Sequence, residues 1–154
     1  MRKPIRPSEP LTPDEILAKM EYFCAYRERC TKEVHARLTE LGARGADAEQ
    51  ILEVLRGDGF FDEARFAHAF AGGKFRINHW GRVRIRQELR LRDVPNSLIQ
   101  SALDEIEEEE YVALLKSLLE KKKDQYEGDA LMRDKTIAAL MRMGFEMELI
   151  FRYL

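Results

Sequence analysis

Apolar residues recur at helical spacing along nearly the whole chain, and three stretches share one pattern. Val34, Leu38 and Leu41 fall on one helical face ahead of Gly42. Ile85 and Leu89 do the same ahead of Arg92-Asp93, and Leu140 and Met143 ahead of Gly144. The anchors Leu38, Leu89 and Leu140 recur every 51 residues. Each is followed by an Ile-x-x-x-Leu pair: Ile51 and Leu55, Ile99 and Leu103, Ile150 and Leu154. The first copy carries three extra residues, placed in the loop Ala43 to Ala46. This register across three copies predicts a true internal repeat.

Each repeat reads as three helices. The first opens on Thr12-Pro13-Asp14-Glu15, a threonine cap, a first-turn proline and a glutamate three past the cap. It is expected to run to about Arg29, with a second helix from Thr31 to the terminator Gly42 and a third from near Asp47 to Gly57-Asp58-Gly59. The next six are expected near 62–75, 79–92, 95–106, 108–126, 129–143 and 146–154. The organisation predicted is an arm over 1–11 and three-helix repeats over 12–59, 60–106 and 107–154. Short connections make this an elongated array in which each module contacts its neighbours, with its curvature left open.

Composition agrees with an all-α fold. There are 18 Leu and 15 Ala against 14 Val plus Ile. Four of the five prolines (Pro4, Pro7, Pro10, Pro13) lie at the start, where Arg2, Lys3 and Arg6 also sit, so that arm is expected to be extended and mobile. No apolar run is long enough for a membrane-spanning helix, and no apolar segment marks a secretory leader. Two cysteines are too few for a disulfide framework, which points to a reducing cytoplasm. A monomer is expected.

Charge adds the first functional signal. The net charge of −2 conceals a middle repeat of +4 (residues 61–103) between neighbours of −1 and −5. The excess lies in Lys74, Arg76, Arg82, Arg84, Arg86, Arg90 and Arg92, opposed within that stretch by Glu88 alone. Arg82, Arg86 and Arg90 form a stripe at four-residue spacing, with Ile85 and Leu89 on the buried face. Guanidinium groups suit bidentate capture of phosphate or carboxylate, so the patch is a candidate docking surface for nucleic acid or an acidic protein. The plainer alternative is a solvated face whose arginine stems cover apolar surface. Trp80 stands beside the stripe either as a core staple or as a base-stacking platform.

No catalytic constellation emerges. Cys24 and Cys30, six apart on one predicted helix, point apart and read as buried thiols. His35, His68 and His79 show no metal-ligand spacing. Gly72-Gly73-Lys74 lacks the spacing of a phosphate loop and the Ser or Thr that follows its lysine. The acids Glu107 to Glu110 and the bases Lys121 to Lys123 bracket one helix and complement its dipole. The chain is expected to be no enzyme and to need no cofactor or metal.

The stretch Gly59-Phe60-Phe61-Asp62-Glu63-Ala64-Arg65-Phe66-Ala67-His68-Ala69-Phe70, then Trp80-Gly81-Arg82-Val83-Arg84-Ile85 and Glu88-Leu89, resembles the central motif of the RecX regulatory proteins. So does Tyr26-Arg27-Glu28-Arg29-Cys30-Thr31-Lys32-Glu33-Val34 with Leu38-x-x-Leu41-Gly42. The resemblance covers about residues 15–154 and is weakest in the third repeat. Arg92-Asp93-Val94 departs from it, standing where Lys-Gly-hydrophobic is usual, so that helix is expected to end differently. It implies a small bacterial protein of tandem three-helix repeats that binds the RecA filament. Such a protein usually inhibits strand exchange, ATP hydrolysis and coprotease activity, in homologous recombination, DNA repair and the SOS response. The alternative is a free-standing DNA-binding module, disfavoured by a pI near 6.0.

Overall fold

The cap at Thr12 forms as its residue type dictates: Oγ1 accepts the Glu15 amide at 3.2 Å, and Pro13 takes the first helical position. The computed structural model describes residues 9–154 and, among them, nine α-helices and no strand. They are α1 (Pro13–Tyr26), α2 (Thr31–Glu40), α3 (Gly45–Gly57), α4 (Glu63–Arg76), α5 (Arg82–Leu91), α6 (Asn96–Asp104), α7 (Glu108–Gln125), α8 (Met132–Arg142) and α9 (Met147–Tyr153). Most of the basic, Pro-rich arm lies outside the described residues.

The repeat is visible in how the middle helix of each triplet ends. The amides of Ala43, Val94 and Phe145 donate to the carbonyls of Leu38, Leu89 and Leu140 at 2.9, 3.1 and 3.1 Å. The preceding amides of Gly42, Asp93 and Gly144 close a shorter turn onto Thr39, Arg90 and Met141. This is the Schellman ending, which needs a left-handed residue. Gly42 (φ 91°) and Gly144 (φ 97°) supply it, and so does Asp93 at φ 59°. The departure at Arg92-Asp93-Val94 therefore changes the residue and keeps the turn. Leu38, Leu89 and Leu140 are all buried.

Three boundaries differ from the expectation. α1 stops at Tyr26 because Arg27 is extended, and Cys30 becomes the N-cap of α2. Cys24 and Cys30 therefore do not share a helix, although both are buried and neither forms a disulfide. α5 begins at Arg82 because His79 adopts a left-handed φ of 58° and Gly81 caps the helix in extended backbone. α8 begins at Met132, after a turn in which the Asp129 carboxylate accepts the Leu131 amide at 2.8 Å.

The chain divides into two compact units, the first ending at Asp62 and the second running from Glu63 to Leu154. The first contains α1–α3 around Ile16, Met20, Val34, Leu38, Ile51 and Leu55. Glu33 ties its α1–α2 corner: the carboxylate accepts from Arg27 (2.8 Å), Arg29 (3.3 Å) and the Cys30 thiol (3.3 Å). The second unit joins α4–α6 to α7–α9. Tyr111 is wholly buried there, its ring stacked on Phe75 at 5.8 Å and tilted on Phe145 at 5.3 Å.

Candidate partner-docking surface

Seven cations that run together in sequence are parted by the helical period and by the packing of α7–α9. Arg82 turns inward. Its guanidinium lies 3.7 Å from the Tyr111 ring centre and pairs with Glu108 at 3.1 Å and Glu146 at 3.5 Å. Its backbone amide donates to the Tyr111 hydroxyl at 3.0 Å, and that hydroxyl donates to Glu146 at 2.7 Å. Burial opposes the charge on Arg82, but the tyrosine and the two carboxylates outweigh it and raise its pKa. Burial also pushes the Tyr111 phenol up, and the bond to Glu146 adds to the shift.

The start of α5 is seated by backbone as well. The Gly81 amide donates to the Met143 carbonyl at 2.8 Å, and the Val83 amide to the Gly144 carbonyl at 2.9 Å. First-turn amides of a helix have no partner within it, and here the far end of α8 supplies acceptors. The basic helix is thus held in place by the third repeat.

Five of the remaining six cations fall into two groups. Lys74, Arg84 and Arg92 surround the aromatic pair Phe70–Trp80, whose rings meet edge to face at 6.3 Å. Arg84 lies 4.1 Å from the Trp80 ring centre, Lys74 4.9 Å from the same ring, and Arg92 4.7 Å from that of Phe70. Arg92 is also held by Glu88 at 2.9 Å. Cation–π contact at such distances contributes about 0.5–1 kcal/mol at exposed sites. It also restricts long side chains that would otherwise lose rotamer freedom on binding. Arg86 and Arg90 project toward α6, donating to Gln100 (3.0 Å) and Asn96 (3.3 Å). Arg76 is exposed at the end of α4.

Trp80 is half-buried, and its ring is an organising centre for cations. Sequence reasoning missed Phe70, although its i, i+4 spacing from Phe66 marked an aromatic face on α4. It also missed Tyr111, Glu108 and Glu146, which lie 26 to 64 residues beyond Arg82 and have no local signal. Among the described residues no group of His, Cys, Asp and Glu is arranged to hold a metal ion, and no helix is long and apolar enough to cross a membrane.

Comparison with known families then decides the lineage. Residues 62–103 match the second three-helix domain of RecX, and residues 108–154 match the third. The chain belongs to the RecX family. Its third repeat, weak by inspection of the sequence, is thus a recognisable RecX domain. The chain is 33% identical over 131 residues to the regulatory protein RecX of Geobacillus kaustophilus (strain HTA426), covering 84% of this chain and 49% of the relative. It is 30% identical over 129 residues to that of Lactococcus lactis subsp. cremoris (strain SK11), covering 80% and 48%. The chain therefore spans about half the length of these RecX relatives. Among solved structures, RecX from Lactobacillus salivarius superposes with a TM-score of 0.85 at 18% identity, over 92% of this chain and 93% of the other. A second regulatory protein RecX gives 0.78 at 23% identity, over 91% and 73%. Those two likenesses establish the shared all-α, three-helix-repeat fold.

Proposed function

We propose that this chain is a non-catalytic regulator in the bacterial cytoplasm that binds the RecA–DNA filament as a monomer and inhibits RecA recombinase, ATPase and coprotease activity. Membership of the RecX family supports the reading, and the observation that carries it is the preorganised basic surface of the second repeat. Lys74, Arg84 and Arg92 are held on Phe70 and Trp80, while Arg86 and Arg90 face α6 and Arg76 is exposed at the end of α4. Such a surface suits acidic protein or phosphate along a filament. Inhibition requires that the bound filament be favoured in its inactive or non-growing form, since a ligand shifts an equilibrium only by preferring one state. Arg82 acts here as a positioning residue, because Tyr111, Glu108 and Glu146 already engage it.

The test is RecA ATP hydrolysis on single-stranded DNA with the chain titrated in below one per RecA. Inhibition is expected. It should be lost in the folded triple variant Lys74→Glu, Arg84→Glu, Arg92→Glu. Full inhibition by that variant would remove the surface assignment, and absence of inhibition by the wild type would remove the function. The aromatic pair among cations also favours a second reading, direct binding to DNA. Its signature is tight association with naked DNA that weakens steeply between 50 and 200 mM salt, without any effect on RecA.

A further inference from the structure

The first unit carries an aromatic surface that the basic second repeat does not explain. Tyr22 and Tyr26, one turn apart on α1, are 77% and 76% exposed. Rings of this size usually bury most of their area. They border an open groove of about 820 Å³ formed by α1 and α2.

The groove has a rigid aromatic floor and basic walls. Arg29 stacks on Phe23 at 3.7 Å from the ring centre, donates to the Phe23 carbonyl at 3.0 Å and pairs with Glu33 at 3.3 Å. Arg37 lies 5.9 Å from the same ring, pairs with Glu40 at 2.8 Å and keeps 39% of its side chain exposed. Lys19 lines the groove from the turn of α1 before Tyr22. In the lining three cations face one carboxylate, Glu40; Arg37 already pairs with it and Arg29 with Glu33, which leaves Lys19 and a net positive lining.

Tyrosine and arginine in a concave, partly apolar site are the residues that dominate protein–protein hot spots. Two rigid phenols can grip an apolar side chain at small entropic cost, while Lys19, and Arg37 by exchange from the exposed Glu40, offer partners for carboxylates. A phosphodiester strand fits less well. It needs a continuous basic track, whereas residues 1–60 carry 11 acids against 10 bases. The chain's own first eight residues fit poorly too, since Arg2, Lys3 and Arg6 have the sign of the groove.

The geometry points to the α1–α2 groove as a docking site for an extended acidic segment of another protein, in which one apolar side chain enters between Tyr22, Phe23 and Tyr26 and flanking carboxylates meet Lys19 and Arg37. The site lies within the first unit and is independent of the basic surface assigned above.

The experiment is selection of a phage-displayed library of random twelve-residue peptides on the full chain, with counter-selection on the double variant Tyr22→Ala, Tyr26→Ala. Both tyrosines are exposed, so the variant should keep the wild-type Tm and circular dichroism. Enriched peptides should be net acidic around an aromatic or aliphatic residue. The leading sequence, made as a fluorescent peptide, should bind the double variant and Arg37→Glu at least about tenfold more weakly than the wild type. Its affinity should be unchanged on Arg84→Glu. The proposal is overturned by any of four results: no tyrosine-dependent binder emerges, the enriched peptides are neutral or basic, a single-stranded oligonucleotide shows the same tyrosine-dependent loss, or sedimentation shows that the tyrosines hold together two copies of this chain.

Discussion

A Cβ placed on Gly81 would stand 2.3 Å from the carbonyl oxygen of Gly144, and one placed on Gly144 would stand 2.3 Å from the Cβ of Arg84. Two glycines in different repeats thus let the start of α5 touch the end of α8 through backbone, with the Val83 amide bonded to the Gly144 carbonyl. The obstacle on the Gly144 side of Gly81 is backbone, which cannot rotate aside as a flexible side chain can. Gly81→Ala should destabilise the second unit by about 2–3 kcal/mol, the scale of overpacking in a filled interior. Urea denaturation followed by circular dichroism measures this, and an unchanged midpoint would contradict the close approach.

Thr136 is buried at the repeat position that Val34 and Ile85 occupy in the first two copies. Its hydroxyl has no hydrogen-bond partner among the described residues. A buried hydroxyl without a partner costs roughly 1–3 kcal/mol in proteins, so Thr136→Val should raise stability by about 1 kcal/mol. A rise in Tm by calorimetry is the expected result, and a fall would mean that the oxygen is solvated in solution.

Asp93 does the work of a glycine. It sits at φ 59° in the turn where the other two repeats have Gly42 and Gly144. Left-handed backbone is disfavoured for a residue with a Cβ by about 1 kcal/mol, and aspartate tolerates it better than most. Asp93→Gly should therefore stabilise modestly, by up to about 1 kcal/mol. Asp93→Val, β-branched, should destabilise clearly. Equal midpoints for the two variants would show that the turn does not keep this conformation.

Alkaline pH tests the joint around Arg82. Burial, then the bond to Glu146, raises the Tyr111 pKa above its ordinary value of 10.0. The folded chain therefore keeps this proton after the unfolded chain has released it. The associated stability is complete below about pH 10 and is lost progressively as pH rises toward the folded pKa. Tyr111→Phe removes both hydroxyl bonds and should cost about 1–3 kcal/mol at neutral pH. Its stability should then fall less steeply than that of the wild type above pH 10. Parallel curves for the two proteins would contradict the shift.

Much of the fold was legible because its signals are local. The spacing of Leu38, Leu89 and Leu140 needs only the helical period, and the ending after each needs only a residue able to turn left-handed. Even the substitution at Asp93 left the hydrogen bond from Val94 to Leu89 in place. Errors fell where a backbone dihedral decided the boundary, as at Arg27 and His79, neither of which is a residue type that breaks helices.

The candidate surface was legible only in part. Composition showed that the second repeat is basic, and the spacing of Arg82, Arg86 and Arg90 placed them on one side of a helix. Spacing cannot say which side another repeat covers. Arg82 is engaged by Tyr111, Glu108 and Glu146, and these contacts exist only once α7 and α9 pack against the start of α5. Lys74, Arg84 and Arg92 converge because Phe70 and Trp80 bring α4 and α5 together on one face. The chain by itself therefore determined the helices, their repeat and the location of the charge, since each follows from residues within a few turns. Only the tertiary structure decided which cations remain available to a partner, because long-range packing sets the desolvation and pairing of each charge.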